Sequence, residues 1–453
     1  MARDVEGKRV TVIGAAKSGI AAAELLAGKG AVVTLSDLRA RVPDADPLRS
    51  KSVTLELGGH RTETFTSADL IVMSPGVPPE QPVIQAARER GVPIVGEIEL
   101  ASWWLLGRVI AITGTKGKST TTALTGRILK AAGFQVTVGG NIGNPLSAQV
   151  LESTPDTLHV VETSSFQLEQ IDTFRPWIAV VLNLSPDHLD RHPSVEAYGR
   201  AKARIFENQR EDDWAVINAD DPATLELARQ ARATVRCFAR HARLDEGVVT
   251  EDGWIAERRR GATERLIPLT AIHLIGPHLV DDVMAAAAIG RIAGAGPAPM
   301  TSAVEEFRGL EHAMELVAEI GHVRFVNDSK ATNVVSALRS IESFDSGVVP
   351  ILGGRFKGGD LTELRDPLRR RAKAVVAIGE ARPLIREALA EVIDVYDADS
   401  FEAAIEKAFA LAQPDGVVLL APACASFDMF QDYAERGRRF KEEVKRISDL
   451  ANR

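Results

Sequence analysis

Seven consecutive residues, Gly114-Thr115-Lys116-Gly117-Lys118-Ser119-Thr120, crowd glycines, lysines and hydroxyls into one short stretch. An apolar run, Val109-Ile110-Ala111-Ile112, precedes them, and a helix-like segment from Thr121 to Ala132 follows. Strand, glycine loop, lysine, hydroxyl and helix is the layout of a phosphate cradle. Loop N–H groups and the helix N-terminus face the anion, Lys118 adds point charge, and Ser119 can hold Mg2+. The longer P-loop pattern has a further glycine where this chain has Ile112. The shorter Gly-x-x-Gly-Lys-Ser form still lets backbone approach a phosphate closely, and a plain glycine turn before a capped helix is the alternative.

Other candidates also sit where apolar runs end. Glu162 closes His159 to Glu162, a position from which a carboxylate can anchor Mg2+. Asn183-Leu184-Ser185-Pro186-Asp187-His188-Leu189-Asp190-Arg191-His192 gathers acids and histidines in one loop, with His188 as metal ligand or substrate contact. Lys202, within Tyr198 to Phe206, reads on its own as an exposed helical lysine. Near the start, Gly14-Ala15-Ala16-Lys17-Ser18-Gly19 lacks the middle glycine of a dinucleotide fingerprint. That loop suits the diphosphate of another nucleotide or a purely structural turn. Asp37, ending the second strand, can accept hydrogen bonds from a sugar or base, and Ser74-Pro75-Gly76 lies at the same edge. Late in the chain, Asn327 to Asn333, Leu352 to Gly359 and Pro422 to Asp428 form three polar loops after strands. Three such loops in one domain make a binding edge.

The elements that must position these residues follow a β–α rhythm. Arg9 to Ile13, Ala31 to Ser36, Leu70 to Met73 and Pro93 to Val95 read as strands, with helices at Gly19 to Lys29 and Glu97 to Trp104. Further strands are expected at Ile178 to Leu184, Trp214 to Asn218, Arg324 to Asn327, Val348 to Leu352, Ala374 to Ile378 and Gly416 to Leu420. Asp252-Gly253 marks a hairpin, Val280 to Ala293 a packed helix, Gly294 to Pro299 a breaker and Phe430 to Leu450 a helix. The expected domains are 1–98, 99–309 and 310–453. The 453 residues carry a net charge of −8 and only two cysteines, Cys237 and Cys424. A nucleic-acid partner that needs a broad basic face and a disulfide framework are both excluded. With no signal core and no spanning apolar run, a cytoplasmic protein without membrane insertion is expected.

Together these islands resemble the Mur ligases, ATP-dependent amide ligases that build the peptide of bacterial peptidoglycan, and most of all the branch that adds D-glutamate. The resemblance rests on Gly114 to Ser119, Ser74-Pro75-Gly76, Gly140-Asn141-Ile142-Gly143, Ser164 to Leu168, Asp187 to Asp190, Asp328 to Asn333 and Pro422 to Ser426. It implies an α/β chain of three domains: a Rossmann-like N-terminal domain, a P-loop-type central ATPase domain and a Rossmann-like C-terminal domain. It implies ATP and Mg2+ as cofactors, UDP-MurNAc-L-Ala and D-glutamate as substrates, and a monomer. By the same resemblance Gly114 to Thr120 hold ATP, and Lys118 grips its phosphates. Ser119, Glu162, His188 and Lys202, the last as a carbamate, serve Mg2+. Ser18, Asp37, Gly76, Asn141 and His188 meet the UDP substrate. Thr332, Lys357 and Ser426 hold D-glutamate, with Lys330 at the reaction centre. The chain departs from the family pattern at Lys116 (Asn in the family), at Leu279 and Asp282 (two Asn), and at Ala313 (Arg). These departures leave open a second reading, a nucleotide-binding relative with weak or lost ligase activity.

Overall fold

A computed structural model describes residues 4–187, 191–273, 276 and 278–451, with 278 in its backbone only. Three sheets follow one another along the chain. The first has strands β1 (Arg9–Ile13), β2 (Val32–Asp37), β3 (Thr54–Leu57), β4 (Leu70–Met73) and β5 (Ile94–Gly96) in the order 3-2-1-4-5, all parallel. The order reverses beside β1, so the crevice for a ligand opens at the C-terminal ends of β1, β2 and β4.

The second sheet has nine strands. They are β6 (Arg108–Thr113), β7 (Gln135–Gly140), β8 (Thr157–Glu162), β9 (Ile178–Val181), β10 (Trp214–Asn218), β11 (Thr234–Ala239), β12 (Gly247–Glu251), β13 (Trp254–Arg259) and β14 (Ala262–Pro268). Their order is 14-13-12-11-10-9-6-8-7. β6 therefore lies between β8 and β9, parallel to both, with buried apolar side chains on each face. β12, β13 and β14 form an antiparallel extension, turned at Asp252 and Gly253 with φ of 47° and 80°, the left-handed pair a tight hairpin requires. Helix Lys17–Gly28 sends Leu25 into the core beneath this sheet, where it meets Ile98, Val109 and Val161.

The third sheet has β15 (Glu315–Ile320), β16 (Val323–Asn327), β17 (Val348–Gly353), β18 (Val375–Ile378), β19 (Val395–Asp397) and β20 (Val417–Leu420) in the order 15-16-20-17-18-19. Only β15 is antiparallel to its neighbour. By contacts the chain divides into two compact units, 1–271 with 281–305, and 272–280 with 306–453. The first unit contains both of the first two sheets.

The strands expected from the sequence at the buried positions are present, whereas β3, β7, β11, β14, β15 and β19 carry too many exposed or polar residues to stand out as apolar runs. The expected breaker at 294–299 is shorter than its composition suggests. Helix Pro297–Glu306 starts inside it, because proline fits the first turn of a helix. Among the described residues no helix is long and apolar enough to cross a membrane.

Candidate active site

β6 delivers its last buried residue, Thr113, to the start of the glycine loop. Gly117 stands at φ +79° and caps helix Lys118–Ala131 with no side-chain cap of its own. The first-turn N–H groups of that helix are therefore left facing outward for a ligand. Asn183, just past β9, fixes the loop: its Oδ1 accepts from Thr115 N at 3.1 Å and Lys116 N at 2.8 Å, and its Nδ2 donates to Lys116 O at 3.1 Å. Thr115 Oγ1 adds a second tie, accepting from Ser185 N at 3.0 Å and donating to Ser185 O at 3.2 Å.

Lys118 Nζ donates to the carbonyls of Gly114 and Thr115 at 3.0 and 2.9 Å. Ser119 Oγ donates to Glu162 Oε2 at 2.6 Å, and Asn141 Nδ2 donates to Glu162 Oε1 at 2.8 Å. Glu162 reaches both because it ends β8, the strand beside β6. Thr120 follows in the same first helical turn.

The sequence reading of Lys202 as an exposed lysine is corrected by the structure: the residue is 1% exposed. Helix Val195–Ala203, capped by Ser194, turns this face inward, and Nζ lies 4.4 Å from the Tyr198 ring centroid. Nζ donates to Gly114 O at 2.8 Å. Burial, reinforced by the charge of Lys118, lowers its pKa from 10.5 to about 7, although Asp187 and Glu162 pull the other way. A lysine that sheds its proton near neutrality is a nucleophile toward CO2.

Lys118, Ser119, Glu162, Asn141 and Lys202 are thus assembled around one loop. His188 lies outside the described residues. His192 is packed inside, bonded to Ser165 Oγ at 3.0 Å and stacked on Phe166.

At the first sheet's edge, Asp37 Oδ2 accepts from Ala15 N at 2.7 Å and from Arg39 at 2.9 Å. Arg39 and the backbone bonds hold its carboxyl well below the usual carboxylate range. Ser18 lies in the first turn of helix Lys17–Gly28, and Gly76 follows β4 on the exposed rim. Ser74 Oγ donates to Gly14 O at 2.8 Å, closing the two loops on each other.

In the other unit, the loops after β16 and β20 are laced together. Ala423 N donates to Ala331 O at 2.9 Å. Buried Arg436, from helix Tyr433–Ala451, donates to Ser329 Oγ at 3.0 Å, Ser329 O at 2.9 Å and Cys424 O at 3.2 Å. Ser426 is buried beside them, Thr332 is half-buried, Lys330 is exposed after β16, and Lys357 is exposed in the loop after β17. Lys357 Nζ lies 5.2 Å from the Phe427 ring centroid.

Among the described residues no group of three or more acids, histidines or cysteines stands ready to hold a metal. One carboxylate and one hydroxyl, Glu162 and Ser119, do fit a hard cation that completes its shell with water and phosphate oxygens.

Asn183 and Arg436 were not singled out from the sequence. The signal available for Asn183 was its place at the end of an apolar strand, but its role depends on β9 lying next to β6.

A phosphate-type loop on a mostly parallel sheet, preceded and followed along the chain by two further largely parallel sheets, defines a multidomain α/β protein built to handle phosphorylated ligands. Three family patterns match in order: the MurD-like N-terminal domain over 8–96, the Mur ligase middle domain over 112–290 and the Mur ligase glutamate ligase domain over 313–424. The chain is 46% identical over 452 residues to the UDP-N-acetylmuramoylalanine--D-glutamate ligase of Koribacter versatilis, covering 98% of this chain and 99% of that one. It is 44% identical over 449 residues to the protein of that name from Geotalea daltonii, at 98% and 99% coverage. The UDP-N-acetylmuramate-alanine ligase of Thermotoga maritima shares the fold with a TM-score of 0.58 at 20% identity, covering 97% of this chain and all of that one. A pseudomurein peptide ligase of Methanothermus fervidus does so at 0.57 and 18%, with 97% and 100% coverage. This chain belongs to the Mur ligase family.

Proposed function

We propose that the chain joins the carboxylate of UDP-N-acetylmuramoyl-L-alanine to the amine of D-glutamate at the expense of ATP. The observation that carries this reading is the convergence of Lys118, Ser119, Glu162 and Lys202 on one strand-end loop within a chain closely similar to D-glutamate ligases. The substrate carboxylate attacks the γ-phosphorus of ATP and ADP leaves, giving an acyl phosphate. The amine of D-glutamate then attacks the acyl carbon, inorganic phosphate leaves, and the amine loses a proton.

Lys118 and the loop N–H groups bind and orient the phosphates, so that charge moving in the transfer meets a fixed cation. Ser119 and Glu162 would hold Mg2+, which supplies charge neutralisation at the transferred phosphoryl group. Lys202, once carbamylated, would offer anionic oxygens to Mg2+ in place of its ammonium. Asn141 steadies Glu162 and faces the muramoyl end, while Asp37, Ser18 and Gly76 receive the uridine diphosphate end. Thr332, Lys357 and Ser426 hold D-glutamate, with Lys330 beside the amine. On this reading the protein acts on soluble nucleotides in the cytoplasm, as a monomer.

The test is release of ADP and phosphate together with formation of the amide product. Release must require ATP, UDP-N-acetylmuramoyl-L-alanine and D-glutamate at once. Equal release with L-lysine or D-alanyl-D-alanine in place of D-glutamate would overturn the assignment.

A further inference from the structure

A second acid stands against the phosphate loop. Asp282, on helix His278–Ala293, is 3% exposed. A Cβ placed on Gly117 would lie 2.0 Å from Asp282 Oδ1 and 2.8 Å from its Cγ, so the carboxyl presses on the loop glycine itself. Asp282 Oδ2 is buried with no hydrogen-bond partner.

The groups around Asp282 offer no counter-charge. From helix Lys118–Ala131 the facing group is the Thr121 hydroxyl, itself buried and without a partner, close to Asp282 but outside bonding geometry. From the loop, Lys118 is engaged with the carbonyls of Gly114 and Thr115. From its own helix, Asp281 adds like charge. The cation on that side, Arg240, pairs with Asp281 at 3.5 Å, where Asp220 and His241 also face. Among the described residues Asp282 has no ion pair. Burial pushes its carboxyl well above the usual range; Thr121 pulls it back in part and Asp281 pushes it up again. An ionised carboxylate one glycine away from a bound phosphate chain would repel it in poorly screened surroundings.

We propose that Asp282 is a positioning residue that works as a neutral acid: Oδ1 braces Gly117 in its left-handed conformation while the buried, unpartnered Oδ2 keeps its proton. This rests on the reading of Gly114 to Ser119 as a triphosphate site. Seating an anion on the loop stabilises the protonated form further, so binding and protonation are linked.

The experiment is calorimetric titration of the full chain with a non-hydrolysable ATP analogue between about pH 6 and 9.5, beside Asp282→Asn. The amide keeps the shape and the donor but cannot titrate. The wild type should lose affinity at least about tenfold more than the variant over that range, and take up a proton on binding that the variant does not. Lys202 titrates in both proteins, so the difference between profiles isolates Asp282. Superimposed profiles, or a variant weaker by the same factor at every pH, would overturn the proposal. Should the variant fail to fold, proton uptake by the wild type on binding the analogue near pH 9, about two units above the range in which Lys202 and Glu97 titrate, decides: uptake supports the neutral acid and its absence removes it. A wild type that binds no analogue at any pH sinks the triphosphate reading instead.

Discussion

Two glycine loops in this molecule have the same punctuation and opposite electrostatics. Gly14 to Gly19 and Gly114 to Ser119 each follow a parallel strand and open a helix. In the first, a carboxylate has entered the loop: Asp37 takes the Ala15 N–H and is neutralised by Arg39. In the second, the partner of the loop N–H groups is a neutral amide, Asn183, and the nearby charges are the lysines 118 and 202. A loop already supplied with an acid suits the donors of a sugar or base; a loop supplied with cations suits phosphate. Backbone shape makes either loop possible, and the side chains from neighbouring strands choose the ligand.

Exchanging charge at either loop tests that contrast. Lys118→Ala should have the largest effect, lowering kcat for ADP release by roughly a thousandfold while circular dichroism stays unchanged. Parental turnover in that variant would erase the distinction between the loops. Lys202→Met should cost about 10- to 100-fold, and added bicarbonate should stimulate the parent but not the variant.

The stimulation has a sign. With a pKa near 7 rather than 10.5, the amine becomes neutral as pH rises past 7, so stimulation grows with pH. Stability follows the same direction. Between about 7 and 10.5 the unfolded state holds this proton and the folded state does not, so this site's contribution rises with pH. A bicarbonate effect that falls between pH 7 and 9 would contradict both.

Asp37→Ala should raise KM for the UDP-linked substrate about tenfold and leave ADP-release kcat at saturation within about twofold. A collapse of kcat would mean the two loops are not separate in function.

Glu97 gives the smallest expected effect. It is buried at the start of helix Glu97–Ser102, accepts from Ser147 N at 2.6 Å, and has its other oxygen unpartnered. Burial, opposed by the Ser147 bonds, raises its carboxyl from 4.5 to about 7. The folded state therefore holds a proton that the unfolded state releases, and stability falls as pH rises from about 4.5 through 7. Glu97→Gln removes that loss, so its melting temperature should gain on the parent by about 2 °C between pH 5 and 8. Equal slopes would show that Glu97 does not titrate there.

Much of this was legible in the sequence because strand ends in parallel sheets collect function. Ser119 and Glu162 could be singled out from an apolar run followed by a polar residue, and the structure joins them at 2.6 Å. Lys202 was named through the family resemblance, but its burial could not be read, since that depends on Tyr198 and on a helix packing against the loop rather than on its neighbours in sequence. The contact of Asn183 with the loop was hidden for a related reason, and Asp282, noted in the sequence only as a departure from the family pattern, gave no sign of pressing on Gly117. Their contacts with the loop cross 67 residues or more, and only the order 9-6-8 and the path of helix His278–Ala293 bring them there. Strands such as β19 and β7, half-exposed at sheet edges, lack the continuous apolar pattern that marks a central strand.

The lacing by Arg436 sets a schedule for making the protein. On the ribosome every strand of the third sheet emerges before helix Tyr433–Ala451, so the strand-end loops around Ser329 and Cys424 wait for their knot. A chain halted before that helix would carry the whole sheet yet leave its strand-end loops untied. Competence in this domain therefore arrives late in translation, with a single arginine.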